Sequence, residues 1–265
     1  MFFVLYLLCP KKQAMQIHNN YSPSVLNRKE IQQFKKLLIT SKLKESFTKT
    51  LYKIGIKSKI KFDIDTINIP NSKLSKLALE EANELCNPIL LYHSYRTFFW
   101  SAGIALSEKL HYDEELLFVS SMLHDIGLTN THNHICSKQC FANYGGSFSN
   151  DFVKKYDSEN KASAIKTAID MHLYPTVDKK KFGNEAYLLS RGAAMDVIGS
   201  HYFQVPTSFI KEVHKTYHRN GFKEDIIETM ETLNHKENTR ADILYKMGFA
   251  SMASKNILDS KKFTS

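Results

Sequence analysis

Residues 120–129 read SSMLHDIGLT, and the pair His124-Asp125 inside this run decides how the chain is read. Asp113, Glu114 and Glu115 suit a helix start, because carboxylates there accept free N–H groups and favour the helix dipole. Gly127 suits the stop that follows. On such a helix His124 lies on the row through Leu117, Ser120 and Ser121, and Asp125 on the row through Phe118, Ser121 and Met122. Steps of three and four share one face, so both polar groups fall where a helix buries its surface. The pair alone is a weak signal.

The same pattern recurs outward from it. His93 follows Ile89 and Leu90 and leads to Arg96, Thr97 and Trp100; His172 follows Ile165, Ala168 and Ile169; Asp196 follows Leu189 and Ala193. A lone buried histidine is usually a satisfied core residue, and a lone inward aspartate a cap or ion-pair partner. Burying three imidazoles and two carboxylates together without a counter-cation costs several kcal/mol. A divalent metal removes that cost, and nitrogen with carboxylate oxygen suits zinc, iron or manganese better than calcium.

The rest of the chain reads as helix after helix from Ser72, near 73–86, 88–110, 114–126, 147–156, 161–173, 184–199, 207–218, 222–234 and 238–254. The polar stretch 129–147 is expected as a loop. Residues 1–70 read as an appendage, helical through Ile31, Phe34, Leu37 and Leu38. In Lys59 to Ile69, Ile60, Phe62 and Ile64 alternate with polar residues, which predicts an extended arm or short strand. The expectation is an all-α fold: appendage 1–70, helical domain 71–255, flexible tail 256–265.

Composition fits a soluble globular chain, with 43% hydrophobic and 24% charged residues in 265. No apolar run approaches the roughly 18 residues of a membrane span. Phe2 to Cys9 stops at Pro10-Lys11-Lys12 without the marks of a secretory signal, and reads as a buried segment or as sequence preceding a true start at Met15. The net charge of +9 comes from lysines scattered along the chain, the longest run being Lys179-Lys180-Lys181. Without interleaved aromatics this is a solvated surface, not a nucleic-acid interface. Four scattered cysteines suit a reducing cytoplasm. An apolar N-terminal segment is the sole hint of a homo-oligomer.

The order His93, then His124-Asp125, then Asp196, each on its own predicted helix, resembles the HD superfamily of metal-dependent hydrolases. The segments HSYRTFFW (93–100), SSMLHDIGLT, AIDMH (168–172), RGAAMDVIG (191–199) and HRNGFKEDI (218–226) are similar to its cyanamide hydratase-like branch, over roughly residues 75–250. The resemblance implies an HD helical bundle and one divalent metal, zinc before iron or manganese, held by His93, His124, Asp125 and Asp196. His172, with an ordinary near-neutral pKa, would carry protons or add a further ligand. Arg96 would fix a ligand carboxylate or hold substrate, against the plainer reading of a structural ion pair. The branch usually carries Phe-Glu and then Gly-Ala; here Phe141-Ala142-Asn143-Tyr144-Gly145-Gly146 has alanine in place of the acid.

Such a metal lowers the pKa of bound water toward about 7, and the expected reaction adds that water to a small nitrile such as cyanamide, giving urea. Phosphoester hydrolysis is the alternative, and a non-catalytic HD binding module a third. No lysine falls between His93 and Lys109 or between Lys109 and Lys138, and Phe98, Phe99, Trp100, Phe141 and Tyr144 predict a small apolar pocket. His132, His134, Cys136 and Cys140 form a cramped rival set for structural zinc. With Asp196 as a ligand, Asp196→Asn is expected to lower bound metal and abolish turnover while leaving the helical fold nearly intact.

Overall fold

The computed structural model describes residues 23–263, and the readings of Phe2 to Cys9 and Met15 lie outside them. Twelve α-helices are present among the described residues: α1 Arg28–Lys53, α2 Lys73–Leu85, α3 Pro88–Glu108, α4 Glu114–Leu123, α5 Phe141–Lys154, α6 Glu159–Met171, α7 Lys179–Phe182, α8 Asn184–Ile198, α9 Thr207–Thr216, α10 Phe222–Thr232, α11 Arg240–Lys246 and α12 Phe249–Ala253. The class is all-α, and no described helix is long and apolar enough to cross a membrane.

Local chemistry starts these helices where the sequence places polar caps. Asn87 accepts from Leu90 N ahead of Pro88, Asp113 from Leu116 N and Ser158 from Lys161 N. Asn27 and Glu30 form a reciprocal capping box on α1. Gly199, at φ +71°, closes α8 in the left-handed region that favours glycine.

α3 is the axial helix, with Phe98, Trp100 and Ile104 fully buried. It packs closely on α8 because Gly192 has no side chain: a Cβ there would overlap Ser101 Oγ and Thr97 O. Ser101 Oγ donates to Leu188 O at 3.0 Å across this contact. The close approach sets Asp196 on α8 opposite His93 on α3. Gly192→Ala is therefore expected to overpack the contact at a cost of about 1–3 kcal/mol, read as a melting temperature several degrees below the parent in thermal unfolding.

The structure departs from the sequence reading in four places. Residues 129–147 are not one loop: short 3₁₀ turns at Ile126–Leu128 and Asn133–Ser137 lead into α5 at Phe141. Gly145 and Gly146, which read as loop, are helical because α5 presses on its neighbours. A Cβ on Gly145 would stand 2.9 Å from His124 O, and one on Gly146 would overlap Asp170 Oδ1 of α6. Of the two readings of Lys59 to Ile69 the strand does not form; the segment is an arm without regular structure, interrupted by a 3₁₀ turn at Ile64–Thr66 that Asp63 caps. The expected helix 238–254 breaks at Gly248, whose φ is +91°. The tail is packed as far as it is described: Leu258 and Phe263 are buried, and His214 Nδ1 donates to Phe263 O.

Residues 23–53 lie against the helical body. Val25 bridges to Thr239, Arg240 donates to Pro23 O at 2.8 Å, and Phe34 stands edge-on to Tyr174. Glu45 of α1 accepts from His201 N and Ser200 Oγ just beyond α8.

Candidate metal centre

Four helices bring the three imidazoles and both aspartates together. His93 lies one turn into α3, His124 and His172 cap the C-termini of α4 and α6, and Asp196 lies in the last turn of α8. Each imidazole is anchored through Nδ1. His124 Nδ1 donates to Ser121 O and His172 Nδ1 to Ile169 O, both at 2.7 Å and both to a carbonyl in the last turn of the ending helix. His93 Nδ1 donates to Asp196 Oδ2 at 2.7 Å. A carbonyl oxygen cannot donate, so Nδ1 of His124 and of His172 carries a proton, and Nε2 is the ring atom each turns toward the centre.

The Nε2 atoms face one another. His93 Nε2 and His124 Nε2 are 3.2 Å apart, and Asp125 Oδ2 lies 3.3 and 3.2 Å from them. His172 Nε2 is 3.5 Å from Asp125 Oδ1, an oxygen with no hydrogen-bond partner. All four residues are buried, and His93, His124 and Asp125 can offer ligand atoms within 4.8 Å of one another. Buried ring nitrogens and carboxylate oxygens crowded in this way repel unless a proton or a metal cation lies among them. The residues present fit a divalent metal bound by nitrogen and carboxylate oxygen.

The electrostatics agree. Burial opposes charge on His93, but Asp125 and Asp196 outweigh it and hold its pKa above the ordinary value. Burial likewise opposes ionised Asp125, and His124 leads the neighbours that hold its carboxyl well below the usual range. The site thus favours positive charge beside Asp125. His172 differs from the expectation of a near-neutral group: burial, reinforced by His124, pushes it down to about 3, so it is a neutral acceptor across the physiological range.

Asp196 stands behind His93, outside the converging set. Its Oδ1 accepts from Arg96 Nε at 2.9 Å, Trp100 Nε1 at 2.8 Å and Arg219 Nη1 at 2.8 Å, and its Oδ2 from Arg96 Nη2 at 2.9 Å in addition to His93. Burial is outweighed by Arg96 and Arg219, which keep Asp196 ionised. The four-ligand set implied by the resemblance is therefore drawn together in part: His93, His124 and Asp125 converge, His172 adjoins them, and Asp196 orients His93. Arg96 is fully buried against Asp196 and His218 O and does not reach the cavity, which corrects its reading as a substrate-holding group. Arg219 was missed, although it lies in the quoted segment HRNGFKEDI; nothing in its spacing pointed to Asp196. Phe222, from the same segment, stacks on His93 at 4.8 Å and 15°.

The centre opens into a cavity of about 160 Å³. Of the aromatics expected to shape it, only Phe141 does; Phe98, Phe99 and Trp100 are core, and Tyr144 hydrogen-bonds to His132 Nδ1 at 2.8 Å. Among the described residues His132, His134, Cys136 and Cys140 do not converge as metal ligands. Ala142 is fully buried and clusters with Leu128, Phe222 and Met230. Ala142→Glu, which would restore the branch's acid, is expected to bury an unpaired carboxylate and lower stability by several kcal/mol. A thermal melt checks this.

The HD domain family profile matches residues 90–197. That window holds His93, His124, Asp125, His172 and Asp196. Cyanamide hydratase DDI2 and cyanamide hydratase DDI3, both of Saccharomyces cerevisiae, are each 36% identical over 108 residues, which is 39% of this chain and 47% of theirs. The match spans about half the length of these curated relatives.

Proposed function

We propose, from the match of residues 90–197 to the HD domain profile and the 36% identity of 108 residues to two cyanamide hydratases, that the protein adds water to a small uncharged nitrile, cyanamide giving urea being the reference reaction. The carrying observation is the convergence of His93, His124 and Asp125, with neutral His172 beside them, at the end of a mostly apolar cavity. His93 and His124 would hold the metal through Nε2 and Asp125 through its carboxylate, a set that suits zinc first and iron or manganese next. Bound there, the metal supplies Lewis acidity and lowers the pKa of water toward about 7.

The chain's own residues do the rest. Asp196, held by two arginines, fixes the His93 ring and its tautomer. His172 Nε2 accepts a hydrogen bond from the attacking water and hands its proton on to the nitrile nitrogen as the O–C bond forms, so the imidazole is not held as the cation that its burial disfavours. The substrate class follows from which cations are free. Arg96 and Arg219 are spent on Asp196, so among the described residues a phosphoester dianion would find no guanidinium beside His93, His124 and Asp125, and the lysine that lines the cavity, Lys42, stands with Glu45 of α1. A small molecule is the proposed partner, with neither nucleic acid nor membrane. A reducing cytoplasm is the proposed compartment, in keeping with free thiols at Cys86, Cys136 and Cys140.

The test is a metal-loaded assay of cyanamide hydration beside nucleotide and generic phosphoester hydrolysis. Urea should form from cyanamide. His172→Gln should slow its formation roughly 10²–10⁴-fold while one metal stays bound. Phosphate release by the parent without urea would overturn the substrate class, and an unchanged rate in His172→Gln would return that residue to the core.

A further inference from the structure

The cavity is larger and drier than cyanamide needs. Cyanamide is a rod of three heavy atoms, polar at both ends. Beyond the metal-facing groups the walls change character: Ala193 and Val197 of α8, Ile226 and Met230 of α10, Leu244 of α11 and Met252 of α12 line the space. None of these side chains offers an N–H or O–H. A cavity of ~150 Å³ lined by Leu, Ile and Phe takes up benzene, so the 160 Å³ here has room for an alkyl group behind a small reacting head. Two methionines in the wall add shape tolerance. Polar groups share the lining, Ser190 and Tyr174 among them, and Lys42 Nζ donates to Met252 Sδ at 2.9 Å. The histidines and Asp125 lie at the centre, and Lys42 and Glu45 lie at the α1 side, where Glu45 is held by Ser200 and His201.

We infer that the chamber between α8, α10, α11 and α12 is a subsite for the apolar tail of the substrate, and that the preferred substrates are aliphatic nitriles of about four to six carbons, with cyanamide a minimal one. The inference rests on the nitrile reading above for the head group. The tail claim rests on the wall alone.

Two series separate the claims. The first is isothermal titration of the zinc-loaded protein with straight-chain primary amides from acetamide to hexanamide, which have the form of hydration products and are not turned over by the proposed reaction. Affinity should rise roughly fourfold per methylene, the transfer preference of a CH₂ group, until the chamber is filled. The second is kcat/KM for acetonitrile, butyronitrile and hexanenitrile, which should climb in parallel. Leu244→Trp, at a half-buried wall position, and Ala194→Phe, on α8, should each flatten both gradients while cyanamide hydration stays at the parent rate. Using both variants guards against either one failing to fold, and a thermal melt identifies that case. Amide affinity that stays flat with chain length overturns the tail subsite, even if cyanamide is hydrated. A clear amide gradient with no hydration of any nitrile or of cyanamide sinks the reaction assignment and leaves the subsite standing.

Discussion

Asp125→Ala protein is expected to come off purification without its divalent metal and to hydrate cyanamide at least roughly 10³-fold more slowly than the parent, because unbound water is some nine pKa units harder to ionise. Asp125 is the one anion in the converging set. Its Oδ2 faces both His93 and His124, and its Oδ1 faces His172. Without it, imidazoles alone remain in the converging set, and the nearest carboxylate, Asp196, lies on the far side of the His93 ring. The fold should tolerate the change, since Asp125 Oδ1 makes no hydrogen bond. Metal-free Asp125→Ala should therefore melt within a few degrees of the metal-free parent. Metal analysis, calorimetry and the urea assay together check the prediction. Full metal content with full activity would remove Asp125 from the centre.

Asp196→Asn is the opposite case, and the larger effect on stability. Reading Asp196 as a ligand predicts a nearly intact fold, whereas the hydrogen bonds that its carboxylate accepts from Arg96, Trp100 and Arg219 predict a loss of stability. The asparagine amide would place N–H donors against the guanidinium donors of Arg96 and Arg219, both of them buried and both aimed at this carboxylate. Arg219 keeps Asp259 at 2.8 Å as a second partner, whereas Arg96 keeps only the carbonyl of His218. Breaking a buried ion pair from one side costs about 3–5 kcal/mol, out of a total stability of about 5–15 kcal/mol. Thermal unfolding should show a drop of roughly 10 °C. In whatever remains folded, His93 loses its orienting acceptor, and metal affinity should fall a further 10–100-fold. A variant that melts like the parent would mean that the arginine network carries no stability.

The helices at 73–86, 88–110, 161–173 and 184–199 were legible because caps and apolar spacing agree there, and each lies within a few residues of its observed span. The histidines and aspartates were legible for a related reason: polar groups on an otherwise apolar row stand out. What failed depends on contacts distant in sequence. Gly145 and Gly146 break a helix by propensity, but here they admit α4 and α6 to α5, a gain that appears only once the helices are packed. Arg219 meets Asp196 across 23 residues, and Arg96 meets it across 100, with no periodic signal to join them. The run Phe98-Phe99-Trp100 is apolar enough for a pocket or a core, and only the orientation of α3 decides for the core. The depressed His172 likewise follows from burial beside His124, which sequence spacing does not reveal.

The central claim is that His93, His124 and Asp125 hold a divalent metal. Titrating zinc into chelator-stripped protein by isothermal calorimetry, for the parent and for Asp125→Ala side by side, measures it directly. The parent should bind one equivalent and release protons as it does so, since the metal displaces the proton that Asp125 and Asp196 favour on His93. Asp125→Ala should bind far more weakly. Equal binding by the two proteins, or no binding by the parent, would contradict the account.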